Sequence, residues 1–264
     1  MQTQKTRAVI ARKLSEKELY NYFFPRRYSI WVWITLIGSA ILFISAAVLQ
    51  STIFIVLCAL SACLGVFIMW RTKRSNPSDE LYDAWVRSQA KILYQRGLQA
   101  LGITEAELSS HMLWIQSFVL PGSLDADEYD ADVVWLKQGK DGRWRTSINV
   151  YTFFYPLARS FAIFKSDVNA FYPSLHNDLD EIYAYRHIVN ATTSKIRDNV
   201  FLGEQEFPYQ VEQFCLKITN GETIKLSATV KARPFGSVPG IPTLALPDTN
   251  FNWTLGQLRS KLLS

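Results

Sequence analysis

"AAVLQSTIFI", residues 46–55, contains no charge, no Gly and no Pro. It sits at the centre of a 42-residue run, residues 29–70, without Asp, Glu, Lys, Arg or His. As one helix this run would reach about 63 Å at about 1.5 Å per residue. The hydrocarbon core of a bilayer is about 30 Å thick, so one helix is twice too long, and tilt cannot absorb the excess. Two crossings of about 20 residues fit. The only three consecutive polar residues in the run, Gln50, Ser51 and Thr52, fall at its midpoint. The sequence therefore predicts a transmembrane helical hairpin, with spans at residues 29–49 and 53–70. A soluble core hairpin is the bland alternative, and 42 residues without a charge lie far outside that habit.

Flanking charge sets the expected orientation. Lys5, Arg7, Arg12, Lys13, Lys17, Arg26 and Arg27 precede the run, against only Glu16 and Glu18; Arg71, Lys73 and Arg74 come directly after it. The turn is uncharged. Positive flanks stay on the cytoplasmic side, so both termini are expected there. Tyr28, Trp31, Trp33 and Trp70 suit the headgroup belt of the same face. A cleaved signal peptide does not fit, because apolar sequence continues straight into a second span.

The chain has 264 residues and a net charge of +5. Residues 1–74 hold 10 Lys/Arg and 2 Asp/Glu, a net of +8, and residues 75–264 hold 18 and 21, a net of −3. The basicity thus lies beside the membrane, where it can also attract anionic lipid. The remainder has no basic excess, which argues against a nucleic-acid partner. Three cysteines, Cys58, Cys63 and Cys215, have neither metal-ligand nor disulfide spacing. Cys58/Ala62 and Ser61/Gly65 are small pairs four apart, a face on which another helix can approach closely. That helix is either the hairpin partner or a neighbouring subunit.

Residues 1–28 form a basic segment with a short helix: Ser15-x-x-Glu18 matches a capping box, and Pro25 ends "EKELYNYFF". Its aromatic residues beside Arg26 and Arg27 point to a helix at the membrane interface, or to one packed on the soluble part. Residues 75–118 read as a helical connector. "SNPSDELYDAWVRSQAKILYQRGLQALG" is one helix, capped at Ser78 or Asp79 and closed by Gly102. "TEAELSSHMLWIQSF", with a capping box at Thr104 and Glu107, reads as a second, shorter helix. From about residue 130 the apolar period becomes two. Strands are expected either side of Asp141-Gly142, over "ARSFAIFKSDV", and as one strand over "DEIYAYRHIVNATTS". "EQFCLKITNGETIKLSATV" is a hairpin turning at Asn220-Gly221. "NFNWTLGQLRSKLLS" closes the chain as an amphipathic helix capped near Asn252 or Thr254. The expected count is six or seven antiparallel strands.

Strands followed by one terminal helix resemble a pleckstrin-homology-like domain, of the bacterial kind attached to membrane spans. The residues carrying the resemblance are "SFAIFKSDVNAFYP", "EIYAYRHIVNATT", "FCLKITNGETIKLSATV" and "LGQLRSKLL", within residues 130–264. Extra sequence at residues 199–210 and 233–250 lengthens the usual pattern. The resemblance implies an α+β membrane protein of the bacterial inner membrane, with a PH-like β-barrel acting as a scaffold or binding module, not a catalyst. It does not imply inositol-lipid binding. Its expected partners are the lipid bilayer and a protein, or a second copy of itself.

Candidate chemistry is thin. His111, His176 and His187 have no ligand-spaced partner, and Ser109 and Ser110 beside His111 lie in no G-x-S-x-G turn. Asp125, Asp127, Glu128, Asp130 and Asp132 crowd one loop that lacks the Gly and closing Glu of a calcium hand. "NDLDE", residues 177–181, is similar and weaker. No phosphate-cradling glycine loop is present. No catalytic, metal or cofactor site is therefore expected. Arg26, Arg27, Arg71, Lys73, Arg74, Lys137, Lys140, Arg143 and Arg145 are the candidate contacts to headgroups or an acidic partner. The spans carry no ionisable residue, which disfavours a transporter working as a monomer. An oligomeric pore lined by Thr35, Ser39, Ser45 and Ser61, gated by the soluble part, is the alternative function.

Overall fold

A computed structural model describes residues 14–25, 30–49, 52–121, 129, 133–202, 205–219, 221, 223–230 and 249–262. The described residues are mixed α+β, with five α-helices and antiparallel sheets, the last element being a helix. It divides into two units, Leu14–Tyr82 and a second beginning at Asp83. The boundary falls inside a helix.

The first unit begins with α1 (Glu16–Phe23). Its capping box forms: the Ser15 N–H donates to Glu18 at 3.0 Å, and the Glu18 N–H donates to Ser15 Oγ at 3.3 Å. Next come two apolar helices, α2 (Ile30–Leu49) and α3 (Thr52–Ser75), packed on each other. Gln50 and Ser51 of the expected turn lie outside the described residues. α3 runs five residues past the expected end of its span, through Arg71, Lys73 and Arg74. Within it, Ile55–Thr72 is the single described segment long and apolar enough to cross a membrane; in α2 the described apolar stretch, Trp33–Ser45, is shorter.

Helix α4 (Asp79–Leu101) opens with the Leu81 N–H on Ser78 Oγ. It closes on Gly102, whose φ of +65° suits a residue without Cβ, and the Ile103 N–H reaches back to the Leu98 carbonyl. The expected second helix is not there. The Thr104–Glu107 capping box does form, but it starts only a 3-10 turn, Glu105–Glu107. β1 (Leu113–Phe118) comes next. Leu113 and Ile115 alternate into the core, and pairing with a sheet outcompetes the local helix signal.

A hairpin, β2 (Leu136–Gln138) and β3 (Trp144–Thr146), turns at Gly142 with φ +76°. β4 (Ile148–Pro156), β5 (Ser160–Asn169) and β6 (Leu179–Ala184) complete a four-stranded antiparallel sheet in the order β1-β4-β5-β6. The single strand expected over residues 180–194 is broken by a 3-10 turn, Tyr185–His187. That corner moves the chain into a second sheet of β7 (Ile188–Leu202), β8 (Gln205–Ile218) and β9 (Thr223–Val230). Among the described residues there are nine strands, where six or seven were expected. Residues 199–202 and 205–210 form the outer end of the β7–β8 ladder, with Val200 opposite Phe207. Of the other lengthened stretch, residues 233–248 lie outside the described residues.

Between the sheets sits the core: Leu113, Ile115, Phe154, Phe161, Ile163, Phe214 and Leu216. α5 (Phe251–Leu262) closes it with Phe251, Leu255 and Leu258. It starts at Phe251, ahead of both residues expected to cap it. Asn250, at φ +59°, donates from Nδ2 to the Trp114 carbonyl, and Thr254 Oγ1 donates to the same oxygen at 2.7 Å. β4 is buried along its whole length because the four-stranded sheet is covered on both faces. The face away from the core carries Tyr151, Phe153 and Tyr155 in a ladder, with Tyr94 of α4 stacked on Tyr155 at 5.7 Å. The Tyr155 hydroxyl donates to the Tyr94 carbonyl at 3.0 Å.

Gly97 is where α4 meets that layer. A Cβ there would fall 2.7 Å from the Phe164 ring and closer still to the Tyr155 hydroxyl. Gly97→Ala should therefore cost about 1–3 kcal/mol by overpacking, despite the better helix propensity of Ala. Gly256 of α5 has open space around it, and Gly256→Ala should gain about 0.5–1 kcal/mol. Thermal melts of the two variants should move in opposite directions; a stabilised Gly97→Ala would contradict the docking of α4.

Candidate functional site

Three features of the structure hold the candidate residues. The first is the seam between α2 and α3. Ser61 Oγ donates to the Thr35 carbonyl at 3.1 Å, and Cys58 Sγ lies 3.2 Å from the Ser39 carbonyl. A Cβ on Gly65 would meet Thr35 Oγ1 at 3.2 Å. Ala62 is half-buried between these positions. The small residues thus bring the backbones close, and the sulfur and hydroxyl of α3 are used on α2. Ser39, Ser45 and Thr72 bond back to carbonyls four residues earlier. The outer surfaces are apolar: Phe43 is 66% exposed and Leu60 62%. Cys58, Cys63 and Cys215 are all free thiols.

The second feature is the basic hairpin. Lys140 and Arg143 are exposed and Lys137 is half-buried. Arg145 is different and corrects the expectation of a headgroup contact. Its side chain is only 4% exposed and is gripped by two carboxylates. Nε and Nη2 bond both oxygens of Asp83 at 2.7 and 2.8 Å, and Nη1 and Nη2 bond both oxygens of Asp141 at 2.9 Å. Two bidentate pairs exploit the planar guanidinium fork. They fasten the β2–β3 hairpin to the first turns of α4. The hydrogen bond from Arg145 holds the Asp141 carboxyl down at about 2. Of the remaining candidates, Arg71 is exposed on α3. Lys73 and Arg74 lie in its last turn, and Arg26 and Arg27 lie outside the described residues.

The third feature, unread in the sequence, pins the β5–β6 loop. Ser166 Oγ donates to Asp178 Oδ1 at 2.7 Å, and Arg96 of α4 pairs with Asp178 Oδ2 at 2.6 Å. The Asn177 N–H donates to Asp167 Oδ1 at 2.8 Å. Burial pushes the Asp167 carboxyl above its ordinary range. Two residues of the "NDLDE" stretch are therefore structural. The acidic loop at residues 125–132 is outside the described residues, apart from Tyr129. Among the described residues no group of three His, Cys, Asp or Glu could hold a metal. His176 Nδ1 sits 2.8 Å from the Asp167 carbonyl, and His187 Nδ1 sits 3.2 Å from Thr219 Oγ1. His111 is exposed, while neighbouring Ser109 donates to the Pro156 carbonyl. The geometry assembles no nucleophile and base from these residues.

Arg145→Ala leaves two carboxylates facing each other, each partly open to water, and should cost about 2–3 kcal/mol in a denaturant melt. Asp141 has a folded pKa below its unfolded one, so its stabilisation is complete above the ordinary carboxyl range and fades as pH falls from about 4 through about 2. Asp141→Asn should flatten that acid limb in a melting-temperature profile; an unchanged limb would place the acid sensitivity elsewhere. In the seam, Gly65→Leu forces overpacking and should separate the helices. A short bifunctional thiol reagent should bridge Ser39→Cys to Cys58, with a lower yield when Gly65→Leu is added. Equal yields would count against this contact.

No family model, curated protein or solved structure matches the chain, so its own residues carry the functional reading.

Proposed function

We propose that this chain is a membrane-anchored binding or scaffold module. In this reading α2 and α3 both cross the bilayer as a hairpin, in a bacterial inner membrane. The unit from Asp83 works on the cytoplasmic face, where it recognises a protein partner or a second copy. One observation carries the reading. The outward faces of α2 and α3 are large apolar side chains, while Ser39, Ser45, Ser61 and Thr72 spend their hydroxyl protons on helix carbonyls. Such a surface suits hydrocarbon, where polar groups must be satisfied inside. α2 is 20 residues long, about 30 Å, which matches one crossing. Basic flanks on both outer ends support the cytoplasmic placement.

The sheet unit supports a PH-like reading. With the β2–β3 hairpin set aside as an insert, its strands run four, then three, then a closing helix. The same hydroxyl bonds weigh against the pore: Ser61 faces α2, so it is spent in the seam and not on a lumen.

Light scattering after size exclusion in mild detergent tests the choice. The protein-only mass should correspond to one or two copies. A ring-sized assembly would overturn the anchor reading in favour of the pore.

A further inference from the structure

α1 has two distinct sides. Leu19, Tyr22 and Phe23 are buried. Tyr22 stacks on Tyr82 with centroids 4.3 Å apart and an interplanar angle of 2°, and its hydroxyl donates to Asp79 at 2.9 Å. The opposite side presents residues 16, 20 and 24 in a line, with Lys17 beside them. Tyr20 is 54% exposed, and its ring lies 4.8 Å from that of Phe24. The docked helix thus carries a tilted aromatic pair on this side, with Tyr20 exposed and Phe24 half-buried.

Two tethers hold this face close to both outer ends of the helix pair. Residues 25–29 join α1 to α2, so Phe24 lies within about 20 Å of the start of α2 even with a fully extended link. Tyr82 and Asp79, which α1 grips, lie in the first turns of α4, and only three residues separate α3 from α4. Aromatic rings with a polar tip favour the layer between hydrocarbon and water, and an amphipathic helix lies flat in it. Glu16 and Lys17 offset each other, so the contact is made by the rings more than by net charge.

We infer that α1 is an interfacial helix whose Tyr20–Phe24 face lies in the headgroup layer of the bilayer. The inference rests on the hairpin reading proposed for α2 and α3. It assigns α1 a second role: the same eight residues that grip α4 also fix the height of that grip at the membrane surface.

Full-length protein in phospholipid nanodiscs containing a lipid with a diazirine near its headgroup tests this. After irradiation and trypsin, lipid adducts are mapped by mass spectrometry. The peptide of residues 18–26 should carry adduct at Tyr20 or Phe24, and a second lipid with the diazirine at the acyl end should label α3 and not this peptide. The double variant Tyr20→Glu, Phe24→Ser should lose the α1 adduct and keep that on α3. Labelled α3 with an unlabelled α1 peptide would overturn the inference and leave the anchor standing. An α1 adduct that survives the double variant would overturn the assigned face. Absence of adduct on α3 as well would remove the hairpin reading itself, and the inference with it.

Discussion

A helix in hydrocarbon has no water to receive its polar groups, and under the hairpin reading proposed for α2 and α3 that constraint orders the first unit. Ser61 of α3 gives its proton to the Thr35 carbonyl of α2, and Gly65 lets the same two helices approach. Ser39 and Ser45 turn back on their own helix. Ile, Leu, Val and Phe remain to face outward. In water such a surface would draw other chains to it. In a bilayer it has a solvent, and the association of the two helices then rests on close packing and these few bonds.

The second unit solves a different problem, covering a sheet on two sides. β4 lends Phe154 to the core between the sheets and Tyr151, Phe153 and Tyr155 to the other face. α4 lies over that second face because Gly97 leaves room for Tyr155 and Phe164. Arg145 then fixes the β2–β3 hairpin to Asp83, and Arg96 fixes the β5–β6 loop through Asp178. One helix thus gathers the sheet, the hairpin and the loop. A partner surface carried on any of these elements is held at defined spacing from the others.

Much of this is legible in the sequence where a signal is local. The uncharged run predicts α2 and α3 to within a residue or two at three of their ends, and Ser78 and Gly102 bracket α4. The hairpins at Gly142 and Gly221 come from turn chemistry, with φ of +76° and +87°. The misses are non-local. Thr104-x-x-Glu107 is a genuine cap, yet the segment after it pairs with β4, some forty residues on. "DEIYAYRHIVNATTS" has no breaker to mark the corner between two sheets. Arg145 reads as a surface cation in the sequence because its partner Asp83 is 62 residues away. Gly97 reads as an ordinary helix glycine, since the two rings that meet it come from β4 and β5.

The central claim is that both apolar helices cross one bilayer, with the sheet unit on one side and the α2–α3 turn on the other. Labelling by a membrane-impermeant maleimide in sealed vesicles of known orientation tests it most directly. Ser51→Cys and Lys140→Cys should react from opposite faces of the membrane. Reaction of both from the same face would leave α2 and α3 as something other than a crossing hairpin, and would contradict the account.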